Sequence, residues 1–276
     1  MKILVVGDIH GKIEKLKKKI PRCDFDFVIG VGDYAGIEEW LPYIKYVFSL
    51  KKSPMGERFK RKSPKEFFGK EHKIEDYRKE QKEFFGKEKF RKLLEKDFAA
   101  GKKSLLLLDN LGKPGFFVFG NGDEDWYNYP FAKNILEAKK SRLNFLKKLR
   151  NLKEMTYDVR KYNGISFLGF GGYMDAIANN KIRDKEWQKR VDKRHNNAKN
   201  KMDSLVKKIG KKSIFIFHYP PKGIFDIIKD KKSPFNGGST GIDFYRSAIL
   251  KKNPFLVLCG HMHEYQGKKK LGKSLV

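Results

Sequence analysis

The sequence predicts an α/β fold. Two observations carry that expectation. Short apolar runs recur along the chain, each followed by Gly or His, and several of the segments between them place apolar residues at helical spacing among lysines. Strand, helix, strand, helix in succession specifies a parallel layer with right-handed crossovers. The 276 residues suit one large domain, or a domain with a small insertion. The 39% hydrophobic content supports a real core, and 34% charged residues demand a heavily ionic surface.

Residues 2–7, KILVVG, read as a buried parallel strand. Ile13, Leu16 and Ile20 then fall at helical spacing, and Pro21 closes that helix. DFVIGV at 26–31 predicts a second buried strand, and 36–48 a second helix. Residues 51–103 break the rhythm. They are rich in Lys, Glu and Phe, and the string KEFFGKE occurs at 65–71 and again at 82–88. We read 51–103 as a helical insertion within a single domain spanning 1–276. Its second half, roughly 86–111, is expected to be one helix entering GFFVFG at 115–120. A helix is expected at 131–150, a strand at 164–170 and a long basic helix at 181–209. Buried strands are expected at 213–217 and 255–259, separated by a Gly/Ser loop at 237–241 and a helix at 242–251.

The net charge of +29 suits polyanionic partners, nucleic acid included, or phosphorylated substrates. The competing reading is lysine as a default surface residue, because the lysines are spread along the chain. Cys23 and Cys259 fit no zinc-finger or disulfide framework, so two reduced thiols in a cytoplasmic protein are expected. No run of about 18 apolar residues offers a membrane span.

The chemistry gathers where the predicted strands end. Asp8 and His10 follow the first, Asp33 the second, and Asn121, Gly122, Asp123 and Glu124 the third; His218 follows SIFIF, and His261 and His263 follow FLVLC. Ligands of α/β sheets bind beyond the carboxyl ends of the strands. Four of the six histidines lie at these ends; only His72 and His195 fall in charged helical segments. A lone histidine is more often structural, but four of them with two Asp and an Asn point to a metal centre. The spacing Asp8/His10 and His261/His263 aims each pair at one site if the backbone stays extended past the strand. Imidazole mixed with carboxylate suits borderline transition metals. Seven ligands exceed one tetrahedral ion, whereas two ions about 3.5–4 Å apart sharing a carboxylate would use them all.

The ordered set Asp-x-His, Gly-Asp, Gly-Asn, His, Gly-His-x-His resembles the calcineurin-like metallophosphoesterase superfamily, and the segment around HYPP and LCGHMHE resembles its prokaryotic predicted phosphoesterases. The resemblance implies two packed mixed β-sheets flanked by helices, a four-layer sandwich. It implies a phosphodiesterase or phosphatase with Asp8, His10 and His263 on one divalent ion, Asp33 bridging, and Asn121, His218 and His261 on the other. Attack would be in line, by a metal-bound hydroxide. Manganese is the expected ion, with iron, zinc, nickel and cobalt as alternatives.

Two features depart from that pattern. Gly122 stands where many relatives carry a histidine that assists the leaving group, so esters with acidic leaving groups are expected to be preferred, with Asp123 or Glu124 as the candidate substitute acid. The chain stops at Val276 soon after Gly-His-x-His, so an uncovered sheet edge is expected, which a homodimer would cover. Substrate selection is assigned to the insertion and to the loops around Tyr34, Tyr219 and 237–241. The alternatives carried forward are a nuclease and a catalytically weak metal-binding scaffold.

Overall fold

The structure is a computed structural model, and it describes residues 1–52, 81–123, 144–172, 185–231 and 236–276. Its elements in chain order are β1 (Ile3–Val6), α1 (Ile13–Lys19), β2 (Phe27–Gly30), α2 (Leu41–Lys52), α3 (Lys87–Asp109), β3 (Gly115–Phe117), β4 (Leu152–Glu154), β5 (Asp158–Tyr162) and β6 (Ile165–Phe170). They continue with α4 (Lys185–Lys208), β7 (Ser213–Phe217), α5 (Asp243–Lys252), β8 (Leu256–Leu258), β9 (Lys270–Leu271) and β10 (Ser274–Leu275).

Two sheets form. The first has four strands in the order β1-β2-β3-β4, all parallel. The second has six in the order β5-β6-β7-β8-β10-β9, parallel at its centre with antiparallel pairs at both edges. The continuous apolar runs are explained by burial on both faces. Odd-numbered residues of β2, such as Phe27 and Ile29, meet Phe116, Phe167, Ile214 and Ile216 in a core between the sheets. Val28, Phe117, Phe215 and Phe217 point the opposite way and join the larger core built with the helices. The result is the expected arrangement of helix, sheet, sheet and helix.

α3 changes the reading of the insertion. It runs unbroken from Lys87 to Asp109, and its Leu105 and Leu108 are fully buried in the main core. The boundary at 103 therefore falls inside a core helix. Before α3, Phe84 packs edge-on against Tyr43, and Phe85 meets Tyr43 at a tilt and Trp40 edge-on. The first KEFFGKE copy, most of the expected helix at 131–150, Glu124 and His72 lie outside the described residues. Strands β4, β5 and β9 were not anticipated. The C-terminal residues are strand: β10 pairs with β8 and β9, and Val276 is buried. Cys23 and Cys259 are free, and among the described residues no helix is long and apolar enough to cross a membrane. His195 pairs with Asp243 at 3.1 Å, tying α4 to the start of α5.

Candidate metal centre

All the strands that carry candidate ligands are parallel within their sheets, so their carboxyl ends face one end of the sandwich. The loops there are turned sharply. Among the described residues eight non-glycine positions have positive φ, and four are candidate ligands: Asp8, His10, Asp33 and His261. Such backbone costs on the order of 1–3 kcal/mol per residue and persists where its surroundings impose it. The paired spacing therefore does not work through extended chain. The backbone turns left-handed at Asp8, His10 and His261, and those turns aim the side chains.

Asp8, His10 and His263 bring one ligand atom each within 4.8 Å of one another, and so do Asp8, Asp33 and His218. Asp8 belongs to both sets. His10 Nε2 lies 3.3 Å from His263 Nε2 and 3.6 Å from Asp33. His218 Nε2 lies 2.9 Å from Asn121 Oδ1 and 3.5 Å from Asp33 Oδ1. The His261 ring sits 5.2 Å from that of His218 and 4.0 Å from that of Tyr219. His261 and His263 thus part company, one beside His218 and the other beside His10.

Backbone donors hold the carboxylates. Gly122 N donates to Asp33 Oδ1 at 2.7 Å, and His261 N donates to both Asp8 oxygens. Close approach explains two of the glycines. A Cβ on Gly120 would lie 2.1 Å from Asp33 Oδ1, and one on Gly260 would lie 2.5 Å from Asp8 Oδ2.

The electrostatics suit a cation. Burial pushes Asp33 up to about 6 against the pull of His10. Burial also opposes ionisation of Asp8, yet the hydrogen bond with His263 and the His218 and His263 charges hold its carboxyl below the usual range. Burial lowers His218, and it lowers His261 to about 3, so at both positions it favours the neutral imidazole. His263 is raised by its hydrogen bond to Asp8. Among the described residues no Lys or Arg pairs with Asp8 or Asp33. Buried carboxylates facing neutral imidazoles, without a basic partner, form a donor set that fits divalent metal.

Asp123 serves a different end from the one expected. Its side chain is fully buried and accepts backbone N–H bonds from Tyr34, Ala35 and Gly120, each 2.9 Å. Burial and the nearby Asp33 charge push its carboxyl up. It ties the Asp33 loop to the Asn121 loop and is walled off from solvent. In the loops to which substrate selection was assigned, the Tyr34 and Tyr219 side chains are likewise buried. Tyr34 is a brace: its hydroxyl accepts from Gly32 N, and its carbonyl accepts from Ser104 of α3. Tyr34 and Asp123 as bracing residues were missed because a polar group beside a ligand reads as functional. The 237–241 loop is pinned by Asp226, which accepts from Ser239 Oγ at 2.5 Å, while Thr240 Oγ1 lies 3.0 Å from Met262 Sδ.

This is the fold of a metallophosphoesterase, with the candidate ligands gathered at one end of it. The chain belongs to the calcineurin superfamily of metallophosphoesterases: the family model described as "Metallophosphoesterase, calcineurin superfamily" matches residues 65–276, and "Calcineurin-like phosphoesterase" matches residues 1–59. No curated protein matches the chain. One solved crystal structure aligns over 99% of this chain and 88% of its own with 16% identity and a TM-score of 0.56, which supports the shared fold. TT1561 of Thermus thermophilus aligns over 99% and 86% with 17% identity and a TM-score of 0.45. Phosphopantetheinyl hydrolase (PptH) from Mycobacterium tuberculosis aligns over 99% and 86% with 10% identity and a TM-score of 0.49.

Proposed function

We propose that this chain hydrolyses small phosphate esters, diesters foremost, at a dinuclear centre. The observation that carries the reading is the shared use of Asp8 by two ligand clusters, one with His10 and His263 and one with Asp33 and His218. Asp8, His10 and His263 would hold one ion. Asn121, His218 and His261 would hold the other, with Asp33 between the two groups. Divalent ions bound there would supply Lewis-acid charge to the phosphoryl oxygens and make water acidic enough to attack. Manganese is the ion to test first; iron, zinc, nickel and cobalt suit the same donors.

The protein's own residues do the positioning. Gly122 N and Asp123 fix the Asp33 loop, and His261 N fixes Asp8, so the carboxylates need little rearrangement when charge develops. Gly122 carries no side chain to protonate a leaving oxygen, and Asp123 is enclosed. We therefore assign a preference for esters whose leaving groups need no proton.

The test strips the protein of metal, restores Mn²⁺ in steps and follows bis-p-nitrophenyl phosphate, with Asp33→Asn beside it. Turnover that rises with metal and is lost in the variant supports the reading. Two ions bound per chain without turnover, with any of the five metals, would leave a metal-binding scaffold instead.

A further inference from the structure

The sandwich carries an open, cation-rimmed cavity at the end away from the candidate ligands. It has a volume of about 570 Å³, opens to solvent, and is lined by Phe27 and Phe116 of the first sheet, Tyr162 of the second, and Arg150, Lys153, Arg160 and Lys161. Phe27 opens β2, and Arg150 and Asn151 lead into β4. Tyr162 ends β5 opposite Ile165, the first residue of β6. All of these mark the amino ends of the parallel strands, whereas the candidate ligands follow the carboxyl ends. Six residues separate Gly115 from Asn121, so at about 3.3 Å per residue the two places stand up to roughly 20 Å apart. The cavity is not an extension of the candidate metal centre.

Its lining has one sign of charge. Four cations and no carboxylate face the space. Arg160 is held by Asp158 at 3.0 Å. Among the described residues nothing pairs with the side chains of Arg150, Lys153 or Lys161. The aromatic component is built in: Tyr162 is half-exposed, and the fully buried Phe27 backs it at 4.7 Å between ring centroids and is itself braced edge-on by Phe116 at 5.2 Å. A supported aromatic ring among unpaired cations matches a planar base joined to a phosphate. The volume lies within the roughly 300–1,000 Å³ of small-molecule sites.

We infer that this cavity binds a nucleotide unit, the base against Tyr162 and the phosphate on Arg150 and Lys153. The unit comes either from a free nucleotide or from an unpaired nucleic-acid strand. The inference is independent of turnover at the metal centre.

The experiment uses the full metal-loaded chain. The thiophosphate analogue of AMP and ribose 5-phosphate are titrated calorimetrically, and labelled oligo(dT) by fluorescence anisotropy. The AMP analogue is expected to bind at least tenfold tighter than ribose 5-phosphate. That advantage should disappear in Tyr162→Ala and persist in Tyr162→Phe. The double variant Arg150→Glu, Lys153→Glu should weaken binding by about tenfold or more, with an unchanged melting temperature as its folding control. Oligo(dT) binding whose salt slope falls by roughly 0.7 per lost contact in the double variant would identify a strand as the source. A preference for the free nucleotide would identify the small molecule. Equal binding of the AMP analogue and ribose 5-phosphate, or affinities untouched by the charge reversals, would overturn the inference. If Tyr162→Ala fails to fold, the charge-reversal pair, both exposed side chains, still decides it.

Discussion

His218 donates its Nδ1–H to the carbonyl of Val31 at 2.8 Å, two residues ahead of Asp33 on the same chain segment. A carbonyl only accepts, so the bond fixes the tautomer and leaves Nε2 free to face Asn121 and Asp33. Outer bonds of this type orient metal-binding histidines. His218→Ala is therefore expected to release one ion and leave the other. Elemental analysis should fall from two metals per chain to one. Turnover should fall by at least the roughly 10–100-fold that losing an outer partner costs. His195→Ala is the control, because His195 pairs with Asp243 and belongs to neither ligand cluster, so it should leave both readouts unchanged.

Metal affinity should depend on pH with a sign set by Asp33 and His263. A ligand must shed its proton to bind metal. Affinity should keep rising above pH 6, because the hydrogen bond to Asp8 raises His263 and that ligand too must shed its proton, while burial raises Asp33 to about 6. Below that value protons compete at both, and affinity should drop by up to about tenfold per pH unit for each ligand. Competitive chelator titrations from pH 5 to 8 check this. A flat profile across that range would show that Asp33 and His263 have both shed their protons already at pH 5.

Gly122 sets both a steric and a chemical limit. A Cβ there would lie 3.1 Å from Asp33 Oδ1 and 3.3 Å from its Cγ, so the carboxylate would have to yield by a few tenths of an ångström. Gly122→Ala should keep its metals but lose several-fold in kcat, since misplacing a catalytic group slightly is costly. The wild type should also discriminate by leaving group. General acid assistance is worth about 10²–10⁴-fold, and without it phenyl esters should lag p-nitrophenyl esters by a comparable factor. Similar rates for the two would reveal a proton donor elsewhere.

The strands at the centre of the sheets were legible because burial on both faces writes a continuous apolar run. β2, β3, β6 and β7 carry that signature, whereas β1, expected to be buried, is an edge strand whose apolar run leaves Val5 exposed. β4 and β5 read LKE and DVRKY, charged segments at sheet edges whose strand state is imposed by pairing partners. No local pattern announces them. The metal ligands were legible as a set because each follows an apolar strand. The way they converge was not, since periodicity describes extended chain and Asp8, His10 and His261 are left-handed. The role of Asp123 was hidden for a related reason: sequence places it two residues from Asn121 but gives no sign of three backbone N–H groups closing around it.

Asp123→Asn separates a brace from an acid. Oδ1 accepts from Tyr34 and Ala35, and Oδ2 accepts from Gly120. An asparagine keeps its oxygen toward the first pair but turns an NH₂ toward the Gly120 N–H, leaving donor against donor in a fully buried place. An unsatisfied buried group costs about 1–3 kcal/mol, which at this size of protein lowers the melting temperature by several degrees. The loops bearing Asp33 and Asn121 would loosen together, so metal affinity and turnover should fall in parallel. The shape of the pH–rate profile should stay as it was. A general acid behaves otherwise: its loss removes the alkaline limb of the profile, spares metal binding, and hurts poor leaving groups far more than p-nitrophenyl esters. Melting, chelator titration and the profile measured on one variant tell the two apart, and loss of the alkaline limb with unchanged stability would return Asp123 to the role of acid.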